Sequence, residues 1–401
     1  MAGTADLVET LVTTPLAALL AVDRGAGTAR WERLRGEAKD FHRGALALHL
    51  HWAARDLGAG GPWVWANGDP HPGNFATLAT GPRRGARPAA VYDLSDADDE
   101  HPAPWHWDLL RCLGGLGVWW RKGGQAALRR LAGDAIARYA EVMARAAEGD
   151  ADHGGRIFLQ DLPAQVADLL EHDGDPEAEA RWQRKRIVGG KRPRLRRDDR
   201  LRDDPGATVV LEQVRRWIAQ RGGGLEPLDA ARRAPTGLSS LGRRRYLVLC
   251  REGKAFRILE VKERRPSELS RLLPAHPFDP RTAKPLALTV PLGRDPWQDV
   301  MPGEAWPFLV RTRCHARSVA DPAEDSDDDR RSLVKLWATL LANAHLRGLA
   351  SLGVEVEHTA AAIAADARKR RADLARLCAA MPERNRAAWQ AFRRDAATLA
   401  R

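Results

Sequence analysis

The sequence predicts an α+β protein with a helix-rich large lobe and a small antiparallel β lobe. Three observations carry this expectation. Helical periodicity recurs over residues 31–57, 125–148 and 332–347, and Ala/Arg-rich helical stretches close the chain. A single period-two hairpin pattern spans 245–263. Three short strand-like runs, at 63–66, 76–79 and 89–94, alternate with Gly- and Pro-rich loops. The 401 residues suffice for two or three packed lobes. The division expected is 1–230 for the helical lobe, 231–315 for the β lobe, and 316–401 for helices that pack back on the helical lobe.

Taken in order, residues 5–22 read as a helix interrupted near Pro15, and 31–57 as one further helix with Phe41, Leu46, Leu48, Leu50 and Trp52 among its apolar positions. Trp63, Val64, Trp65 and Ala66 form a strand-like run bounded by Gly-Pro and Asn-Gly. After Pro102 and Pro104 a helix opens at Trp107 and Asp108 and runs to about residue 121. Asp108 near its start suits free N–H groups and the helix dipole. Residues 125–148 and 162–172 are further helices. Residues 181–205, rich in Arg, Lys and Asp, read as an exposed linker, with a phosphate-contacting basic patch as the alternative. The hairpin follows a Gly/Ser turn, and Phe256, Ile258, Glu260 and Lys262 share one face of its second strand. A strand is expected at 307–313, an acidic loop at 321–329, an amphipathic helix at 332–347 with His345 near its end, and two closing helices at 357–381 and 384–400.

Two stretches concentrate chemistry. Asn67, Gly68, Asp69, Pro70, His71, Pro72, Gly73 and Asn74 place an Asp, a His and an Asn on a backbone broken by Gly and Pro. Asp93, Asp96, Asp98 and Asp99 then crowd a strand end. A loop with a candidate base and an amide oxygen, beside a carboxylate-rich strand end, can hold Mg²⁺ and a polyphosphate. A divalent cation also offsets the repulsion among those carboxylates. The plain alternative is a surface turn followed by a solvated acidic loop.

The composition limits the remaining choices. Hydrophobic residues at 44% and charged residues at 29% fit an ordinary water-soluble domain. The net charge of +11 suits anionic ligands, but the Arg residues are spread along the whole chain, so nucleic acid is not the expected partner. Cys112, Cys250, Cys314 and Cys378 are widely separated, which argues against a disulfide framework or zinc site and fits the cytoplasm. The apolar run 16–22 is too short to span a bilayer, so no membrane association is expected.

The stretch from Gly68 to Asn74 resembles the catalytic loop of the aminoglycoside-phosphotransferase and choline-kinase branch of the protein-kinase-like fold, with Asn67 in place of that pattern's first His. In that pattern the metal-binding Asp precedes a helix-opening Asp by twelve residues. Here 108 − 96 = 12 selects Asp96, with Asp98 beside it and Asp93 as the competing choice. A longer resemblance covers nearly the whole chain. The run Phe41-His42-Arg43-Gly44, the loop 68–75, the strand end 92–98, the run Pro104-Trp105-His106-Trp107-Asp108-Leu109-Leu110-Arg111, the turn 237–242, Val261-Lys262-Glu263 and Ala344-His345-Leu346-Arg347 are similar to the domain-of-unknown-function 2252 family.

The resemblance implies a two-lobed kinase-like fold in circularly permuted order, because the glycine turn and its Lys follow the catalytic loop. It implies an ATP- and Mg²⁺-dependent phosphotransferase acting on a hydroxyl or amine of a small molecule. Asp69 would act as base, with His71 either supporting the loop or contributing to catalysis. Asn74 and Asp96, with Asp98, would hold the metal. Lys262 and the turn bearing Gly237, Ser239, Ser240 and Gly242 would bind the nucleotide phosphates. The nearest carboxylates to orient the Lys are Glu263 and Glu268. The alternatives are a nucleotide-binding scaffold without turnover, and a phosphohydrolase with Asp69, His71, Asp96 and Asp98 as direct metal ligands.

Overall fold

The computed structural model describes residues 3–79, 90–96, 98–120, 122–149, 162–234, 243–273, 295, 297–315, 317–323, 326–349 and 352–399. The architecture is α+β, with a helical body and one six-stranded antiparallel sheet beside three two-stranded pairs. Trp105–Trp119 is the axis of the body. It is apolar nearly all round, and every residue in it is buried. The long helices Gln125–Ala147 and Val356–Leu399 pack against it, and Asp327–Leu349 packs on Gln125–Ala147 and on the strand Trp63–Ala66. One core runs through all of them, anchored by Trp52, Trp105, Trp107 and Trp337.

The six-stranded sheet runs Asp299–Met301, Phe308–Arg313, Ala255–Glu263, Arg245–Glu252, Glu226–Arg233, Leu201–Arg202. One face buries Val248, Cys250, Leu259 and Val261 against Val210, Val214 and Trp217 of the helix Pro205–Gln220. The other carries Leu247, Leu249 and Ile258 and then turns charged at Arg245, Glu260 and Lys262. The hairpin turns tightly, with Glu252 paired to Ala255 and Gly253 at φ 60°.

Several expectations are corrected. The helix expected over 31–57 is three helices, Arg24–Gly36, Ala38–Gly44 and Leu46–Leu57. The breaks fall at Glu37, which is extended at φ −133°, ψ 146°, and at Ala45. These turns bring both Phe41 and Trp52 into the core. The linker expected over 181–205 is structured. Pro176–Arg186 is a helix, and the edge strand Leu201–Arg202 is pinned by Arg197, which bridges Asp203 and Asp229. The boundary placed at residue 231 therefore cuts the strand Glu226–Arg233. The strand His101–Pro104, masked in the sequence by two prolines, pairs antiparallel with Trp63–Ala66.

Asp327, Asp328 and Asp329, expected in a loop, form the first turn of the helix Asp327–Leu349, where the dipole favours carboxylates. The two closing helices are one, Val356–Leu399, with Pro382 inside. Pro382 costs a backbone hydrogen bond, but its ring packs onto Gly117, where a Cβ would come within 2.4 Å of it. At the N-terminus the apolar stretch is longer than 16–22. Thr4–Val22 is long and apolar enough by composition to cross a membrane, yet Val8, Val12 and Leu16 are buried in the main core.

Candidate active site

The loop 67–74 is held from behind by one carboxylate. Asp108 accepts the backbone N–H of Asn67 at 2.7 Å and of Gly68 at 3.0 Å. His345 Nε2 lies 3.0 Å from the same carboxylate, and Tyr139 Oη lies 2.7 Å from His345 Nδ1. A carboxylate only accepts, so Nε2 carries the proton and the tyrosine hydroxyl donates to Nδ1. Asp108 thus serves the loop rather than its own helix start. Gly68 adopts φ 83°, and a Cβ there would lie 2.3 Å from the Asp99 carbonyl, so only glycine fits.

Asp69 is presented by this loop and fixed by Arg111. Arg111 Nε donates to Asp69 Oδ1 at 2.8 Å, and its other nitrogens donate to His42 Nε2 and the His42 carbonyl at 2.9 and 2.8 Å. Burial pushes the Asp69 carboxyl up to about 7, with Asp99 and Asp96 adding to the rise and Arg111 opposing it. His71 Nδ1 accepts the Gly73 N–H at 3.0 Å, while its Nε2 is 3.9 Å from Asp69 Oδ2. Burial, then Arg43 and Arg111, hold His71 well below the usual histidine range, so it is a neutral prop stacked on Trp119. Asn74 Nδ2 donates to the Asp69 carbonyl at 2.7 Å, and Ser95 N–H donates to the Asn74 carbonyl at 2.7 Å.

The strand end meets the sheet here. Asn67 Nδ2 donates to the Asp96 carbonyl at 2.8 Å, so the residue in place of the pattern's His ties the loop to the strand end. Lys262 Nζ lies 3.3 and 3.4 Å from the Asp96 oxygens and contacts Asp98, although 166 residues separate Lys262 from Asp96. Arg243 also donates to Asp98, at 2.9 Å. Burial raises the Asp96 carboxyl, but Lys262, Arg311, Arg317 and Arg245 outweigh it and hold the group below the usual carboxylate range. Asp99 accepts the Glu268 N–H at 3.0 Å.

Other expected residues lie elsewhere. Asp93 turns to the Leu94 N–H and to Arg347. Glu263 pairs with Arg244 and Arg265, and Glu268 with Arg271, so the partners of Lys262 are Asp96 and Asp98. The turn with Gly237, Ser239, Ser240 and Gly242 lies outside the described residues.

Among the described residues no three His, Cys, Asp or Glu side chains form a group that could hold a metal ion. Asp98 is engaged by Lys262 and Arg243, and Asp96 by Lys262 alone among the described residues, while Asn74 donates through Nδ2 and keeps its amide oxygen as an acceptor. One carboxylate and one amide oxygen fit Mg²⁺, which keeps several waters and takes its other ligands from phosphates.

Sequence reasoning missed Arg111 and His42, whereas His345 backs the loop as its expected place on a loop-packing helix implies. The signal was present for Arg111: Asp108 and Arg111 stand three apart on one helix and so share the face toward the loop. The profile of the family described as "Uncharacterized protein conserved in bacteria (DUF2252)" matches residues 26–395. No curated protein and no solved structure matches the chain.

Proposed function

From the geometry around Asp69 we propose that this chain, a member of the DUF2252 family, is an ATP- and Mg²⁺-dependent phosphotransferase of permuted kinase-like architecture. Its acceptor is a hydroxyl or amine of a small molecule. One observation carries the reading: Lys262 reaches Asp96 across 166 residues of sequence, at the strand end tied to the loop that presents Asp69. A strand lysine, a strand-end aspartate and a loop aspartate in one place are what phosphoryl transfer needs, since it depends on positioning and charge rather than covalent chemistry.

Asp69 orients the acceptor and takes its proton. A carboxyl at about 7 is suited to that exchange near neutral pH. Arg111 occupies Oδ1 and leaves Oδ2 for the acceptor. Asn74 and Asp96 would hold Mg²⁺, which when bound supplies charge neutralisation on the nucleotide phosphates. Lys262 then exchanges its contact with the strand-end carboxylates for a phosphate. In the permuted order the helix bearing His345 backs the catalytic loop although it comes late in the chain.

The second reading, nucleotide binding without turnover, draws on one feature: Lys262 is held by the strand-end carboxylates and not by a separate glutamate. Thermal stabilisation by ATP with Mg²⁺ tests both. The expected result is a clear upward shift for the wild type, lost in Asp96→Ala and in Lys262→Ala. A shift that survives both substitutions sinks the shared site. A wild-type shift without ADP release, in the presence of varied hydroxyl and amine acceptors, favours binding alone.

A further inference from the structure

We propose that Arg233, Arg245, Arg311, Arg313 and Arg317 form a binding site for a phosphate or pyrophosphate group, on the sheet face next to Asp96. The site stands on its own and does not require that the protein transfer phosphate. The strand register places the residues together. Arg245 pairs with Lys262, Arg311 with Glu260, and Arg313 with Ile258. Ala231 pairs with Leu247, which puts Arg233, two positions on, on the same face.

Glu260 sits fully buried in the middle, and three guanidinium groups use up its oxygens. Arg233 and Arg245 donate to Oε1 at 2.7 and 2.6 Å, and Arg311 donates twice to Oε2, at 2.9 and 2.8 Å. The side chains of Arg313 and Arg317 make no hydrogen bond or ion pair among the described residues, and both residues are half-buried. Of the further carboxylates around them, Asp96 faces Lys262, Asp295 accepts from Thr312, Glu179 from the His315 N–H and Asp173 from the Ser318 N–H.

One glutamate therefore stands among five guanidinium groups. Like charges set side by side across strands destabilise a sheet, and burial sharpens the cost. Arg313 and Arg317 are the two that make no ion pair with Glu260. Burial lowers both to about 10, with Arg233 and Arg311 lowering Arg313 further, Arg311 and Arg313 lowering Arg317, and Glu260 opposing. A dianionic or trianionic oxyanion offsets that repulsion, because guanidinium forks match phosphate geometry two bonds at a time. Arg311 also donates to the Ser95 carbonyl at 2.8 Å, which places the site directly against the strand end.

Inorganic pyrophosphate is the probe, titrated calorimetrically and in thermal melts of the full chain against sodium chloride of equal ionic strength. Saturable binding is expected, weakened at least tenfold by Arg313→Gln and by Arg317→Gln. Without pyrophosphate those variants should melt at or above the wild-type temperature, since each relieves repulsion. Asp69→Asn should bind pyrophosphate like the wild type, which separates this site from the transfer reading. ATP distinguishes the source of the phosphate. If both arginine variants also lose ATP, the site takes the nucleotide's own phosphates. If they keep ATP, it takes a second phosphorylated or free anion. No binding beyond the chloride control overturns the proposal. So does wild-type affinity in both variants, or a lowered melting temperature with unchanged affinity.

Discussion

Asp108→Asn tests the frame that holds the loop 67–74. In the wild type the buried carboxylate accepts two loop N–H groups, at 2.7 and 3.0 Å, and faces the protonated Nε2 of His345 at 3.0 Å. Asparagine has nearly the same shape but one acceptor oxygen. Its amide nitrogen must face a donor, either a loop N–H or the imidazole N–H. Hydrogen bonds to charged groups contribute ~1.5–3 kcal/mol each. Leaving one buried donor of this network unsatisfied costs about 1–3 kcal/mol. Urea unfolding followed by tryptophan fluorescence measures it, since Trp65, Trp105 and Trp107 lie in the surrounding core. A cycle with His345→Ala should show a coupling of ~0.5–3 kcal/mol, because the two residues touch. A loss below about 1 kcal/mol for Asp108→Asn, or additive effects in the cycle, would refute the claim that this carboxylate organises the loop.

Asp69 links stability and activity in opposite directions. Its carboxyl moves from an ordinary 3.8 to about 7 on folding, so the stability it contributes is present below pH 3.8 and is lost as pH rises through about 7. The full loss is about 4 kcal/mol at 1.36 kcal/mol per pH unit. Asp69→Asn should therefore gain stability relative to wild type as pH rises from about 4 to about 7, while wild-type transfer activity rises through about pH 7; a pH-independent stability difference contradicts this. Gly68→Ala meets both a positive φ and a 2.3 Å approach to the Asp99 carbonyl, and should lose at least ~2 kcal/mol in chemical denaturation together with ATP-dependent stabilisation. Gly117→Ala pushes into Pro382 and Leu128 at 2.4 and 2.7 Å, and an overpacking loss of about 1–3 kcal/mol should appear as a lower melting temperature with nucleotide affinity unchanged.

What the sequence revealed follows from which interactions are local. The hairpin 245–263, the strand at 308 and the helices with clean 3.6 periodicity were legible, because their patterns lie within a dozen residues. The twelve-residue interval to Asp108 pointed to Asp96, whose backbone carbonyl accepts from Asn67 and whose carboxylate faces Lys262. The single closing helix was not legible. Pro382 is a helix breaker by its own chemistry, and only the bare Gly117 surface, 265 positions earlier by 382 − 117, lets it stay. The segment 187–202 looked like solvated linker because its charges are paired through space, Arg197 with Asp229 foremost. The arginine cluster was hidden for the same reason. Its members come from three strands and the segment after them, and no window of sequence contains more than a few of them.

The bond between Asp108 and His345 joins residues 237 apart, and the one between Lys262 and Asp96 joins residues 166 apart. Such contacts repay their loop-closure entropy only after most of the chain is in place, which slows folding. During synthesis the loop bearing Asp69 leaves the ribosome long before the helix that braces it. The early half must wait with its acidic strand end uncompensated and its core open along the face later covered by Asp327–Leu349. Nascent chains of this protein should therefore remain susceptible to proteases until the helix Asp327–Leu349 emerges, and the functional centre should be the final part of the molecule to become ordered.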